Sequence, residues 1–188
     1  ISSVRDKLQF IKEAIEISLM FLDEQKIERK NFSIRTWGED GQLEGGKKLG
    51  FGSSAAATVA VIAAVLNFHS YNASKDEVYK LAAISHYYAQ GKVGSAFDVA
   101  ASTYGGVFVY SRFEPQWLTA KIERRTPLSV ILNDEWPSLT VENLDIPDEF
   151  IMIIGWTGDS FSTPAAIKKN PTLTSIQTAC FIKNGSCA

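Results

Sequence analysis

Lys47-Lys-Leu-Gly-Phe-Gly-Ser-Ser-Ala-Ala-Ala57 places two glycines, Gly50 and Gly52, directly ahead of an apolar, alanine-rich run from Ser54 to Phe68. A run that is apolar all round reads as a buried helix, and it falls short of the roughly 20 residues a bilayer span needs. Glycine allows a tight bend and a close backbone approach to a ligand. The first turn of a helix carries unpaired N–H groups and the positive end of its dipole. A glycine turn entering a helix is therefore an anion site suited to a polyphosphate. The Ser53 and Ser54 hydroxyls can bond phosphate oxygens or ligate Mg²⁺, the small Ala55 and Ala56 permit close packing, and Lys47 and Lys48 add charge at the mouth. The Walker pattern is absent, because no Lys-Ser/Thr closes the glycine loop. A purely structural role stays open here: Ser54 as a helix cap, with the glycines shaping its entry.

On the N-terminal side, Ser3 and Asp6 mark a helix start, and Leu8, Ile11, Ile15, Leu19 and Leu22 recur at helical spacing. Phe32 to Thr36 alternates as a half-buried strand does, and a loop rich in glycine and charge follows from Gly38 to Gly52. On the C-terminal side, Ser74 and Glu77 form a capping box for a helix that runs to about Gln90 and stops at Gly91. Ser95 and Asp98 read as the next helix start, and Gly105-Gly106 as its end. Val107 to Phe113 alternates strongly and predicts a strand; Ser129 to Leu132, Leu139 to Val141 and Phe150 to Trp156 are further strand candidates. A short helix is expected near Ala165 to Lys169, and the tail beyond has no clear period. Strands and helices in this mixture indicate an α+β domain.

The chain has 188 residues, 45% hydrophobic and 21% charged, with a formal net charge of −2. No global basic field exists to hold nucleic acid or an acidic membrane, so any anion binding must be local. Cys180 and Cys187 fit neither a disulfide framework nor, with His69 and His86 far upstream, a zinc site; free thiols are expected. The start reads as a helix rather than a signal peptide, and the sequons at Asn31, Asn72 and Asn184 carry little weight without one, so the expected location is cytoplasmic. Trp37, Trp117, Trp136 and Trp156 offer stacking surfaces, but scattered tryptophans are expected mainly in the core or at its edge.

A second motif, Ala89-Gln-Gly-Lys-Val-Gly-Ser-Ala-Phe-Asp-Val-Ala-Ala-Ser102, sets a lysine, a serine and an aspartate around another glycine-bearing turn into a helix. Taken alone, Ser95 and Asp98 read as a capping pair, and Lys92 as a surface lysine. Together, the two motifs resemble the phosphomevalonate kinases of the galactokinase, homoserine kinase and mevalonate kinase (GHMP) superfamily. That family carries Gly-Leu-Gly-Ser-Ser-Ala, with Phe51 here replacing leucine, followed by Gln-Gly-Lys-x-Gly-Ser-Gly-Phe-Asp-x-Ala-Ala. Gly105-Gly-Val-Phe-Val-Tyr-Ser-Arg-Phe113 and Ile154-Gly-Trp-Thr-Gly158 are similar too. The likeness runs from about Asn31 to Gly158 and is poor beyond Lys169. Ala96 departs from the family's glycine.

The resemblance implies a GHMP-kinase-like two-layer domain, incomplete at both ends. The superfamily's opening strand with its lysine and its glycine-rich motif near the C-terminus have no counterpart here. Residues 1–158 would be the central part of the N-terminal domain; 159–188 stay unassigned, the start of a C-terminal domain being one fit. The implied reaction is ATP-dependent phosphorylation of (R)-5-phosphomevalonate to 5-diphosphomevalonate, with ATP and Mg²⁺ as cofactors. Gly50, Phe51, Gly52, Ser53, Ser54, Ala55 and Ala56 would hold the ATP phosphates, and Ser54 the Mg²⁺. Lys48, Lys92 and Ser95 would meet the acceptor phosphate or the substrate carboxylate. Asp98 would orient a lysine or the acceptor, and act as a base only secondarily. A mevalonate kinase, another small-molecule GHMP kinase, or a non-catalytic nucleotide- or metabolite-binding relative are the alternatives. Oligomeric state is not legible in the sequence.

Overall fold

The computed structural model describes residues 2–37, 42–43, 47–48, 52–91, 94–147, 149, 151 and 180–181. Its framework is a group of helices packed on one another and on one face of a small antiparallel sheet. Helix α1, Ser2–Glu24, lies against α2, Ser53–Phe68, and α3, Lys75–Ala89. The apolar stripe of α1 is rotated from the expected one. Ala14, Ile17, Phe21 and Leu22 are buried, whereas Ile11, Ile15 and Leu19 are only partly covered and Leu8 faces solvent.

Helix α2 is the central rod, with Ala55, Thr58, Val59, Val61, Ile62, Val65 and Leu66 all buried. This agrees with its nearly unbroken apolar sequence, since a helix covered on more than one side needs no polar stripe there. Ser74 caps α3 as expected. Its hydroxyl accepts from the Glu77 N–H at 3.2 Å, and the Glu77 carboxylate accepts from the Ser74 N–H at 2.8 Å. Of the two histidines, His69 is structural: its Nδ1 donates to the Val65 carbonyl at 2.7 Å, leaving Nε2 to accept from the Lys30 N–H at 3.1 Å.

Helix α4, Phe97–Tyr104, leads into strand β3 at Val107–Ser111; the short strands β1, Gln42–Leu43, and β2, Lys47–Lys48, pair with each other upstream. Strand β3 is flanked by β4, Thr140–Asn143, and β5, Cys180–Phe181, both antiparallel to it. The register sets Phe108 opposite Asn143 and Tyr110 opposite Val141. Val107, Phe108 and Tyr110 are buried while Val109 is exposed. The inward face of β3 meets the helices through Tyr110 on Tyr79 and Phe108 on Tyr104. Among the described residues no helix is long and apolar enough to cross a membrane.

Two expectations about elements are corrected, and one helix was not expected. Phe32 to Thr36 is irregular rather than a strand. Its alternation had one real cause, the packing of Phe32 on Phe68 and His69, and no described strand pairs with it there. Ser129 to Leu132 lies in a helix, α6, Leu128–Asn133, despite its β-branched residues. Both ends of α6 are satisfied from elsewhere in the chain. The Glu24 carboxylate accepts from the Leu128 and Ser129 N–H groups at 2.8 and 2.7 Å, and Lys80 donates to the Leu132 and Asp134 carbonyls at 2.6 and 3.0 Å. Helix α5, Pro115–Glu123, was missed, although proline at a first helical position signals a start. The expected strand from Phe150 to Trp156, apart from Ile151, and the helix near Ala165 to Lys169 lie outside the described residues.

Candidate active site

Gly52 is the N-cap of α2, in the left-handed region at φ 76° and ψ 36°, and among the described residues no side chain caps this helix. Ser54 therefore does not serve as the cap; it sits inside the first turn. Its carbonyl accepts from the Thr58 hydroxyl at 2.9 Å, and its Oγ lies 3.3 Å from His86 Nε2. The first intrahelical bond is Ala56 N–H to the Gly52 carbonyl at 3.1 Å. That leaves the N–H groups of Gly52, Ser53, Ser54 and Ala55 without a partner inside the helix, the arrangement that favours an anion. Ala55 packs its methyl wholly into the core, while Ala56 and Ser53 are exposed.

The second motif is shaped by two unusual backbone positions. Gly94 has φ 108°, a backbone conformation that favours glycine; a Cβ there would also come within 2.4 Å of Gln90 Oε1, a contact the flexible glutamine could relieve by turning away. Ala96, with φ 58° and ψ 19°, is the N-cap of α4, again without a side-chain cap. The Ser95–Asp98 capping pair is thus not formed. Asp98 lies in the first turn and its Oδ1 accepts from the Val99 N–H at 3.0 Å. The loop is held from below: Tyr110 donates to the Ser95 carbonyl at 2.6 Å and bonds to the Tyr79 hydroxyl at 2.9 Å. Burial pushes the Tyr110 phenol up to about 12, so it stays a donor at physiological pH.

The two motifs face each other. A Cβ built on Gly52 would lie 3.5 Å from Asp98 Cβ, which puts the start of α2 against the start of α4. Between them stands His86, a residue the sequence reading set aside as an implausible zinc ligand. It is 2% exposed, and its Nε2 lies 3.3 Å from Ser54 Oγ and 3.9 Å from Asp98 Oδ2. Burial lowers its pKa, with the Asp98 charge opposing, so the ring is neutral at physiological pH. Its only sequence signal was its place one helical turn ahead of the Gln90-Gly91 stop.

The remaining candidates are distributed as follows. Gly50, Phe51 and Lys92 lie outside the described residues, and Lys48 is placed only as part of the two-residue strand β2. Beside Ser53 and Ser54 opens a cleft of about 810 Å³ whose walls include Ile34, Arg35, Trp37, Ala56 and Ala60. Trp37 is 86% exposed there, contrary to the place in the core or at its edge expected of the tryptophans; Trp136 is buried, packed on Phe113 at 4.8 Å, and Trp117 packs against it.

A model of the GHMP kinases N terminal domain matches residues 9–106. The chain belongs to the GHMP kinase family. The matched span takes in both glycine turns, His86 and Asp98. The chain is 36% identical over 124 residues to a phosphomevalonate kinase of Streptomyces sp. (strain CL190), covering 66% of this chain and 33% of that protein. Among solved structures it superposes on the Lin0012 protein from Listeria innocua with a TM-score of 0.79 at 34% identity, covering 88% of this chain and 46% of that one. It also superposes on the Streptococcus pneumoniae phosphomevalonate kinase in complex with phosphomevalonate and AMPPNP, with a TM-score of 0.64 at 26% identity, covering 71% and 39%. This GHMP kinase chain therefore spans about a third of the length of the Streptomyces relative and under half of either solved chain.

Proposed function

We propose that the protein phosphorylates (R)-5-phosphomevalonate to 5-diphosphomevalonate with ATP. The observation that carries this reading is the approach of the α2 start to Asp98 at Gly52, where a Cβ built on the glycine would lie 3.5 Å from Asp98 Cβ. One loop offers unpaired N–H groups to a polyphosphate; the facing loop offers a carboxylate and a tethered serine to an acceptor.

The acceptor is a phosphate monoester with a second pKa of about 6, so at neutral pH it needs little help in losing a proton. Holding two anionic groups in line is the harder task, and it calls for cations and fixed dipoles. Gly50 to Ala55 hold the nucleotide phosphates by backbone N–H groups; Ala56, expected with them, instead gives its N–H to the Gly52 carbonyl and lines the adjoining cleft. The exposed face of Trp37 in that cleft suits a stacked base. Lys48, Lys92 and Ser95 receive the acceptor, and Asp98 orients it. The Ser54 hydroxyl and the Asp98 carboxylate, at 3.3 and 3.9 Å from His86 Nε2, would supply oxygen ligands of the kind Mg²⁺ prefers. Among the described residues there is no cluster of three or more His, Cys, Asp or Glu that could hold a metal ion. When bound, Mg²⁺ would neutralise charge on the transferring group.

The test is coupled ADP release by the full-length protein with phosphomevalonate and mevalonate side by side. Turnover with phosphomevalonate is expected. Preference for mevalonate would make the protein a mevalonate kinase, and nucleotide binding without turnover would make it a non-catalytic relative.

A further inference from the structure

We propose that His86 is a positioning residue, which holds the Ser54 hydroxyl and the Asp98 carboxylate at fixed places on the two facing helix starts. The inference rests on the kinase reading above and adds a residue to its machinery.

The geometry is specific to one ring atom. Nε2 alone meets both groups, at 3.3 Å from Ser54 Oγ and 3.9 Å from Asp98 Oδ2. The ring has little freedom to turn away: it is 2% exposed and lies 4.9 Å, centroid to centroid, from Phe10 on α1. A helix core at this point would be served as well by leucine. A polar ring here has to offset its own desolvation, and the only described partner of its inward nitrogen is the pair of candidate site residues.

The charges also select a tautomer. With its proton on Nε2, the imidazole donates to Ser54 Oγ and turns a positive edge toward the Asp98 carboxylate. The other tautomer would set a lone pair against that carboxylate. As acceptor of the His86 N–H, Ser54 keeps its own hydroxyl proton for a phosphate oxygen and a lone pair for a cation. One neutral side chain thereby aims two functional groups without adding a charge between the two anions that must approach.

The experiment compares His86→Leu, His86→Gln and His86→Asn in the full-length protein by kcat, KM and thermal melting. The glutamine amide reaches the place of Nε2; the asparagine amide falls short of it. His86→Leu is expected to melt at or above the wild-type temperature and to lose about 10²-fold in kcat, since misplacing a reacting group by about 1 Å costs that much. KM for phosphomevalonate should change far less. His86→Gln should recover most of the kcat, and His86→Asn should not, which also serves where the leucine variant fails to fold. Wild-type kcat in His86→Leu, or losses that follow melting temperature with glutamine no better than asparagine, would overturn the proposal and leave the kinase reading standing. Absence of turnover by the wild type would sink the kinase reading instead. Affinity for a non-hydrolysable ATP analogue then decides for His86: about tenfold weakening in His86→Leu that glutamine reverses supports it, and unchanged affinity overturns it.

Discussion

Replacing Gly52 separates the backbone geometry of the nucleotide loop from its crowding. At φ 76° the left-handed conformation costs an ordinary L-residue about 1–2 kcal/mol. Alanine returns part of this by reducing the freedom of the unfolded chain, about 0.4–1 kcal/mol. Its Cβ would sit 3.5 Å from Asp98 Cβ, an ordinary contact that adds no steric penalty. Gly52→Ala should therefore destabilise the protein by about 1 kcal/mol. Gly52→Val should cost more, because a β-branched residue tolerates the left-handed region poorly and its extra methyls enter the space before Asp98. Chemical denaturation of the full-length protein measures the first quantity, and calorimetry with a non-hydrolysable ATP analogue measures the second. Binding should weaken in the alanine variant and vanish in the valine variant, as the first-turn N–H groups are pulled from their common focus. A stabilising Gly52→Ala would refute the left-handed cap, and undiminished affinity in Gly52→Val would remove the loop from the phosphate site.

Asp98→Asn should cost about 1 kcal/mol of stability or less, because Ala96 is the N-cap and asparagine Oδ1 can still accept from Val99, leaving only the helix-dipole contribution. The same change should lower kcat by about 10²-fold or more. The deficit should persist above the acceptor's second pKa of about 6; a kcat profile showing it vanish at high pH would make Asp98 an obligatory base. Tyr110→Phe strands the Ser95 carbonyl and leaves Tyr79 without its partner, so unfolding measurements should show a loss of about 1–3 kcal/mol, with KM for phosphomevalonate raised as the loop loosens. Burial acts to raise the Glu77 pKa, but hydrogen bonds from Tyr71 and Ser74 outweigh it and hold the carboxyl below its ordinary value. A carboxylate with a depressed folded pKa stabilises above its unfolded pKa and loses that contribution as pH falls through the folded one. The stability gap between wild type and Glu77→Gln should therefore narrow on acidification below the usual glutamate range; a gap that widens would contradict this.

What the sequence by itself determined was local. The Ser74–Glu77 box starts α3 because both partners lie within one turn, and the alternation of Val107 to Ser111 survives as β3 because the inward residues meet a helical layer. The glycine turns at Gly52 and Gly94 were legible for the same reason, since a backbone forced to positive φ leaves its mark on the residue that occupies it. Their likeness to a family supplied the candidate chemistry as well. Tertiary structure decided whatever depends on a partner distant in the chain. Helix α6 owes its ends to Glu24 and Lys80, so its own six residues read as a strand. Phe32 to Thr36 alternates, but a strand needs a neighbour to bond with, and none is described beside it. Ser54 and Asp98 each looked like a cap, and only the packing of α2 against α4 shows them converging on one imidazole. Histidine at position 86 carries no motif that reveals this, because its role is set by what the folded chain places 3.3 Å away rather than by its sequence neighbours.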